Sequence, residues 1–135
     1  MEAVEAADGG RDVHAWDAEI TLDRLRGDIR RFASDRDWEQ FQTPRNLLLA
    51  LVGEVGEVSE IFQWKGEVDN GLTGFSEEEK KHLGEELSDV LFYLLRLSDV
   101  CGIDLGQAAG KKLLKNIEKY PVSKCYGKST KYNKL

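Results

Sequence analysis

Cysteine, proline, histidine and methionine are all scarce in this 135-residue chain, and each scarcity removes a class of protein. The two cysteines, Cys101 and Cys125, lie far apart with no CxxC spacing, which excludes a disulfide scaffold and a cysteine zinc site. A reducing, cytoplasmic compartment is expected. The two histidines, His14 and His82, cannot supply the Glu-x-x-His pairs of a di-iron bundle, because His82 precedes Glu85 in the reverse order. Two prolines, with 41% hydrophobic and 33% charged residues, describe a folded protein rather than a disordered one. Long apolar runs are also missing: Leu47 to Val52 falls far short of the roughly 20 residues of a membrane helix. The first stretch, "MEAVEAADGGRDVHAWDAE", has neither a basic nor an apolar signal region, so residues 1–19 are expected to form a disordered acidic leader. A chain of this length forms a single domain.

Charge is plentiful but uneven. Eight lysines and one acid lie between Lys111 and Leu135, against eleven basic and twenty-four acidic residues before them. The body is acidic and residues 123–135 read as a basic tail. A nucleic-acid binder more often carries its basic patch on the folded body, so no nucleic-acid partner is expected, and no membrane partner either.

Apolar residues recur at helical spacing in four segments, and no segment alternates as a strand does. Thr21 can cap a helix through Asp37, on which Leu22, Leu25, Ile29 and Phe32 share a face. Thr43 with Pro44 opens a second, to about Trp64. Ser76 and Glu79 form a capping box for a third, which Gly102 can end near Cys101. Asp104 caps a fourth that stops before Pro121. No heptad register is sustained, and the expected fold is an all-α, compact four-helix bundle over residues 20–122.

Placing the acids on these helices at 100° per residue locates a chemical site. With Leu47 at 0°, the apolar stripe spans about 320° to 80°; Glu54 falls near 340°, Glu57 near 280° between Ala50 and Trp64, and Glu60 near 220° with Gly53 and Gly56 on the poorer face. Glu54 and Glu57 are thus directed inward and Glu60 outward. On the third helix, with Leu83 at 0°, Glu86 falls near 300° and Asp89 near 240°, whereas Glu85 sits near Arg96 and reads as surface. Two consecutive helices each offer a carboxylate pair at i and i+3. Two such charges about 5 Å apart repel by roughly 3 kcal/mol at an effective dielectric of about 20, so the acids must protonate or share a cation. An all-oxygen donor set suits Mg²⁺ or Mn²⁺, and magnesium commonly takes substrate phosphates as further ligands. A single pair of this kind is ordinary solvated surface; two pairs within apolar arcs are not.

The pattern E-x-x-E, then E-x-x-D on the next helix, resembles the all-α, MazG-like NTP pyrophosphatases, matched here by Glu54, Glu57, Glu86 and Asp89. The stretches "RDWEQFQTPRNLLLALVGEVGEVSEIFQWK", "EELSDVLFYLLRL" and "KNIEKYP" are similar more particularly to the eukaryotic dCTP-hydrolysing branch, over roughly Leu22 to Tyr132. The resemblance implies Mg²⁺-dependent hydrolysis of dCTP, or a 5-modified dCTP, to the monophosphate and pyrophosphate, as nucleotide-pool housecleaning by a dimer of dimers. All four acids would be metal ligands, one of them positioning or deprotonating the attacking water. It also assigns substrate contacts to Lys112, Asn116, Lys119 and Tyr120. Lys112, Asn116 and Lys119 stand at i, i+4 and i+7, on one helix face. Trp38, Trp64 and Tyr93 can stack on a base or pack in a core, and the resemblance favours the base. Where that branch carries a histidine near the base, this chain has Ile29.

Two other readings stay open: a hydrolase of another canonical or damaged nucleotide, and a non-catalytic bundle whose acids hold a structural cation. Charged pairs on two helix faces leave little apolar surface to close a core alone. Phe62, Phe92 and Leu95 are therefore expected to bury against a second copy.

Overall fold

Four short polar side chains start the four long helices. Thr21, Thr43, Ser76 and Asp104 each accept a hydrogen bond from the backbone N–H three residues on, at 3.1, 3.3, 3.1 and 2.9 Å. Each such cap contributes about 1 kcal/mol. The helices they open are α1 (Leu22–Asp35), α2 (Pro44–Gln63), α3 (Glu77–Val100) and α4 (Leu105–Lys119). The computed structural model describes residues 15–134, and among them there is no strand. The first fourteen residues of the expected leader lie outside the described residues.

A left-handed residue ends α1 earlier than its periodicity suggests, and another ends α3 where expected. α1 stops at Asp35 rather than Asp37, because Asp37 adopts φ +53° and reverses the chain. The Asp37 N–H then bonds the Ser34 carbonyl (3.1 Å) and the Trp38 N–H the Ala33 carbonyl (3.0 Å), satisfying two end carbonyls. α3 ends the same way at Gly102 (φ +68°), with Gly102 and Ile103 donating to Asp99 and Ser98. A 3₁₀ turn, Glu39–Phe41, bridges α1 to α2, and short helices at Val122–Cys125 and Tyr132–Lys134 follow α4. The segment read as a basic tail is therefore partly helical; four residues carry too little period to be read from sequence.

α3 is the centre of the fold, packed against α2 on one side and α1 on the other. α2 and α3 run antiparallel. Gln42, just before α2, meets Arg96 near the end of α3; Glu54 meets Glu86 and Asp89 midway; Lys65, just past α2, pairs with Glu79 in the first turn of α3. Phe75 plugs the connecting loop against Phe62 (ring centroids 5.9 Å apart). Among the described residues the buried apolar side chains are Ala33, Leu47, Phe75, Leu83 and Leu95. Leu95 is thus core of the single chain and Phe62 packs under the loop. Leu95 therefore has no surface left for a second copy, whereas Phe62 is half-buried and keeps part of its surface open. Phe92 stays exposed.

The strongest polar tie is Asp99 on α3, whose side chain is only 5% exposed. Its two oxygens accept from Arg30 (2.5 and 2.9 Å), Arg26 (3.0 Å) and Arg96 (3.1 Å). Arg30 holds the Asp99 carboxyl below its usual range, against the burial that would raise it, and Arg26 adds to the effect. A depressed carboxyl stabilises the fold fully above the ordinary aspartate value near about 3.9, and that stability is lost as pH falls through the folded value. Asp99→Asn should therefore lose about 2 to 3 kcal/mol at neutral pH, since it leaves the buried Arg96 short of a counter-charge. The same variant should show a smaller further loss than the parent on acidification below about pH 4, measured by urea unfolding.

Candidate active site

Glu54 on α2 and Glu86 and Asp89 on α3 converge as the helical wheel requires. All three are half-buried, and one carboxylate oxygen of each lies within 4.8 Å of the others. Burial raises the Glu54 carboxyl, and Asp89, Glu86 and Glu57 raise it further. A group of acids pressed together in this way fits a divalent cation, and its oxygen-only donors are those of a hard ion.

Glu57 departs from the expected set. It is exposed and outside the three-acid group, one turn further along α2, although its charge still acts on Glu54. The wheel placed it at the edge of the apolar stripe, where a modest rotation decides between inside and outside. Glu60 and Glu85 are exposed as expected. His82 is exposed too, and its Nε2 comes within 3.9 Å of Glu86.

Beside the acids lies a cavity of about 430 Å³ between α1 and α3, walled by Leu25, Ile29, Phe32, Trp38, Phe92 and Tyr93. Trp38 owes its place to the α1 reversal at Asp37, and Phe32 meets its ring edge-on at 5.6 Å. A smaller cavity of about 250 Å³ shares Trp38 and Tyr93. Asp89 belongs to both features: it lines the aromatic cavity and is one corner of the acid group. Gln42 and Arg96 also line the cavity, and sequence reasoning passed over both. Their pairing spans 54 residues, so no local pattern carries it.

The remaining expected substrate residues stand apart from this arrangement within one chain. Trp64 is 79% exposed at the end of α2 and lines neither aromatic cavity. On α4, Lys112 and Lys119 are exposed and Asn116 half-buried, Tyr120 just past its end is exposed, and none lines those cavities. Lys119 Nζ sits 5.5 Å over the Tyr120 ring.

Comparison with known proteins supplies the family. The chain is 50% identical over 117 residues to dCTP pyrophosphatase 1 of Mus musculus, covering 87% of this chain and 69% of the mouse protein. It is 47% identical over 132 residues to dCTP pyrophosphatase 1 of Homo sapiens, covering 94% and 78% of the two chains. Among solved structures it resembles a pyrophosphatase from Archaeoglobus fulgidus DSM 4304, with a TM-score of 0.67, 36% identity, and coverage of 81% of this chain and 98% of that one. Residues 50–135 match the MazG-like family, a span that opens just before the Glu54 motif and takes in most of α2 and all of α3. With those acids converging in a helical fold of the same kind, this chain belongs to the MazG-like family.

Proposed function

We propose that this protein hydrolyses dCTP to dCMP and pyrophosphate. The observation that carries this reading is the double position of Asp89, which puts an aromatic cavity and an acid group side by side. A pyrimidine stacked on Trp38 and Tyr93 would lay its triphosphate toward Glu54 and Glu86. The dCTP activity named for the relatives supports the choice of substrate.

Glu54, Glu86 and Asp89, with Glu57 turning in, would hold one or two Mg²⁺ ions, or Mn²⁺ in their place. When bound, the ion offsets the triphosphate charge and lowers the pKa of a water. A carboxylate of the set takes the proton of the attacking water, whose oxygen bonds to the α-phosphorus as the bond to the bridging oxygen breaks and pyrophosphate leaves. Ile29 gives the cavity an apolar wall, which accommodates a 5-methyl group. The free thiols of Cys101 and Cys125 suit a reducing, cytoplasmic setting, and no described helix is long and apolar enough to cross a membrane.

Assembly completes the site in this reading. Leu48, Leu49, Val52 and Val55 form a second apolar stripe on α2, and Leu113, Leu114 and Ile117 form another on α4, all exposed. Two separate apolar faces suit two kinds of two-fold contact, a dimer of dimers. A neighbouring copy would then bring Trp64, Lys112, Asn116, Lys119 and Tyr120 to the nucleotide, since they do not reach it in their own chain.

A substrate panel assayed for released pyrophosphate tests the activity. dCTP and 5-methyl-dCTP should be the best substrates, and Glu54→Gln, Glu86→Gln or Asp89→Asn should lower kcat at least about a hundredfold, while a purine triphosphate preferred over dCTP would refute the assignment. In chelator, relief of repulsion should make Glu54→Gln melt above the parent at neutral pH. The parent's raised carboxyl is disfavoured as pH climbs past the ordinary glutamate value near about 4.3, so the gap should close on acidification. Light scattering should give a mass well above the 15.3 kDa protomer. Val52→Glu should shift that mass downward and reduce activity with it; a monomeric, fully active parent would rule out the assembly.

A further inference from the structure

Most of the aromatic cavity's wall is apolar, so the few polar atoms reaching it decide which ring is accepted. Besides the Trp38 indole N–H and the Tyr93 hydroxyl, carried by the two rings that stack, four polar side chains line it: Asp28, Gln42, Asp89 and Arg96. Three have other commitments. Asp89 belongs to the acid group. Asp28 is a rim residue, its side chain 59% exposed and 4.0 Å from Arg24. Arg96 donates from one terminal nitrogen to Asp99 Oδ2 (3.1 Å) and from Nε to Gln42 Oε1 (2.6 Å). Gln42 remains. It is half-buried and also lines the smaller cavity with Trp38 and Tyr93.

The carboxamide of Gln42 has one permitted orientation. A guanidinium carries donors only, so the atom facing Arg96 Nε must be the amide oxygen. Flipping the amide would set N–H against N–H and strip a buried cation of an acceptor. The NH₂ is therefore turned away from Arg96; it makes no hydrogen bond among the described residues and is not sealed from solvent. Arg96 is in turn held by Asp99, which Arg26 and Arg30 hold from α1.

We propose that Gln42 is a specificity-determining residue whose NH₂, aimed by Arg96, donates a hydrogen bond to N3 of the cytosine ring, with Arg96 and Asp99 as positioning residues. The assignment rests on the reading of this cavity as the base pocket. Cytosine N3 carries a lone pair, whereas uracil and thymine carry N3–H. A fixed donor meets an acceptor in the first case and another donor in the second, so the orientation imposed by Arg96 becomes selection between pyrimidines.

The test compares kcat/KM for dCTP and dUTP. Gln42→Glu keeps the length and an oxygen for Arg96 but replaces the donor with an acceptor. Its kcat/KM for dCTP should fall about tenfold or more, mainly through KM, while that for dUTP holds or rises, so the dCTP-to-dUTP ratio shrinks by more than about tenfold. Gln42→Met, which has neither donor nor acceptor, should shrink the ratio less, and it supplies the same readout if the glutamate variant folds poorly. Arg96→Lys retains a charge for Asp99 but loses Nε, and should shrink the ratio, mainly through a raised KM for dCTP. Equal losses for both nucleotides, or an unchanged ratio in the Gln42 variants, overturns the proposal. Trp38→Ala separates the two readings. If it raises KM for both nucleotides while the Gln42 variants leave the ratio alone, the base pocket stands and the Gln42 assignment fails. If it leaves both KM values unchanged, the pocket reading fails and the Gln42 assignment with it.

Discussion

One carboxylate, Asp99, accepts from three guanidinium groups, and most of the molecule's geometry depends on that convergence. Apolar burial pulls helices together without fixing their rotation or sliding, because it has no direction. Here the buried apolar set is small, which leaves much of the alignment to polar contacts. Arg26 and Arg30 set the rotation of α1 on α3, and Arg96 extends the network through Gln42 to the chain just before α2. The walls of the aromatic cavity come from those three segments.

α3 carries two electrostatic settings of opposite character about ten residues apart. Toward its middle, Glu86 and Asp89 crowd Glu54, and burial with repulsion raises that carboxyl. Toward its end, arginines surround Asp99 and lower it. The second arrangement is satisfied within the chain and lends stability. The first remains frustrated until something positive arrives, and an unsatisfied cluster beside a cavity is where binding energy can be applied. Buried carboxylates of one protein thus divide between holding the fold and doing its work, according to what surrounds them.

The residues legible in the sequence were those whose meaning is local. Thr21, Thr43, Ser76 and Asp104 announce helix starts through a contact three residues away, and Glu54, Glu86 and Asp89 announce themselves by breaking an apolar stripe. Periodicity gives the direction a side chain takes around its own axis, but it does not name what waits there. Asp99 looked like any acid near a helix end because its partners Arg26 and Arg30 lie 73 and 69 residues back. Gln42 was invisible for the same reason. The end of α1 was misplaced because an aspartate, not a glycine, takes the left-handed turn at Asp37. Glu57 and Trp64 were read as site residues, yet in the single chain both face outward, since a wheel cannot tell a surface awaiting a neighbour from one facing water.

The shared position of Asp89 has a thermodynamic corollary. A residue that is at once a wall of the ring cavity and a corner of the acid group makes the two occupancies interdependent. Whatever factor a seated nucleotide adds to the affinity for a cation, the cation must add the same factor to the affinity for the nucleotide. Neither partner has to bind tightly alone. Under the proposed reading, with positive coupling, the protein would release its ion readily when empty and still form a firm ternary complex, and selectivity for the ring would be expressed as selectivity in retaining the metal.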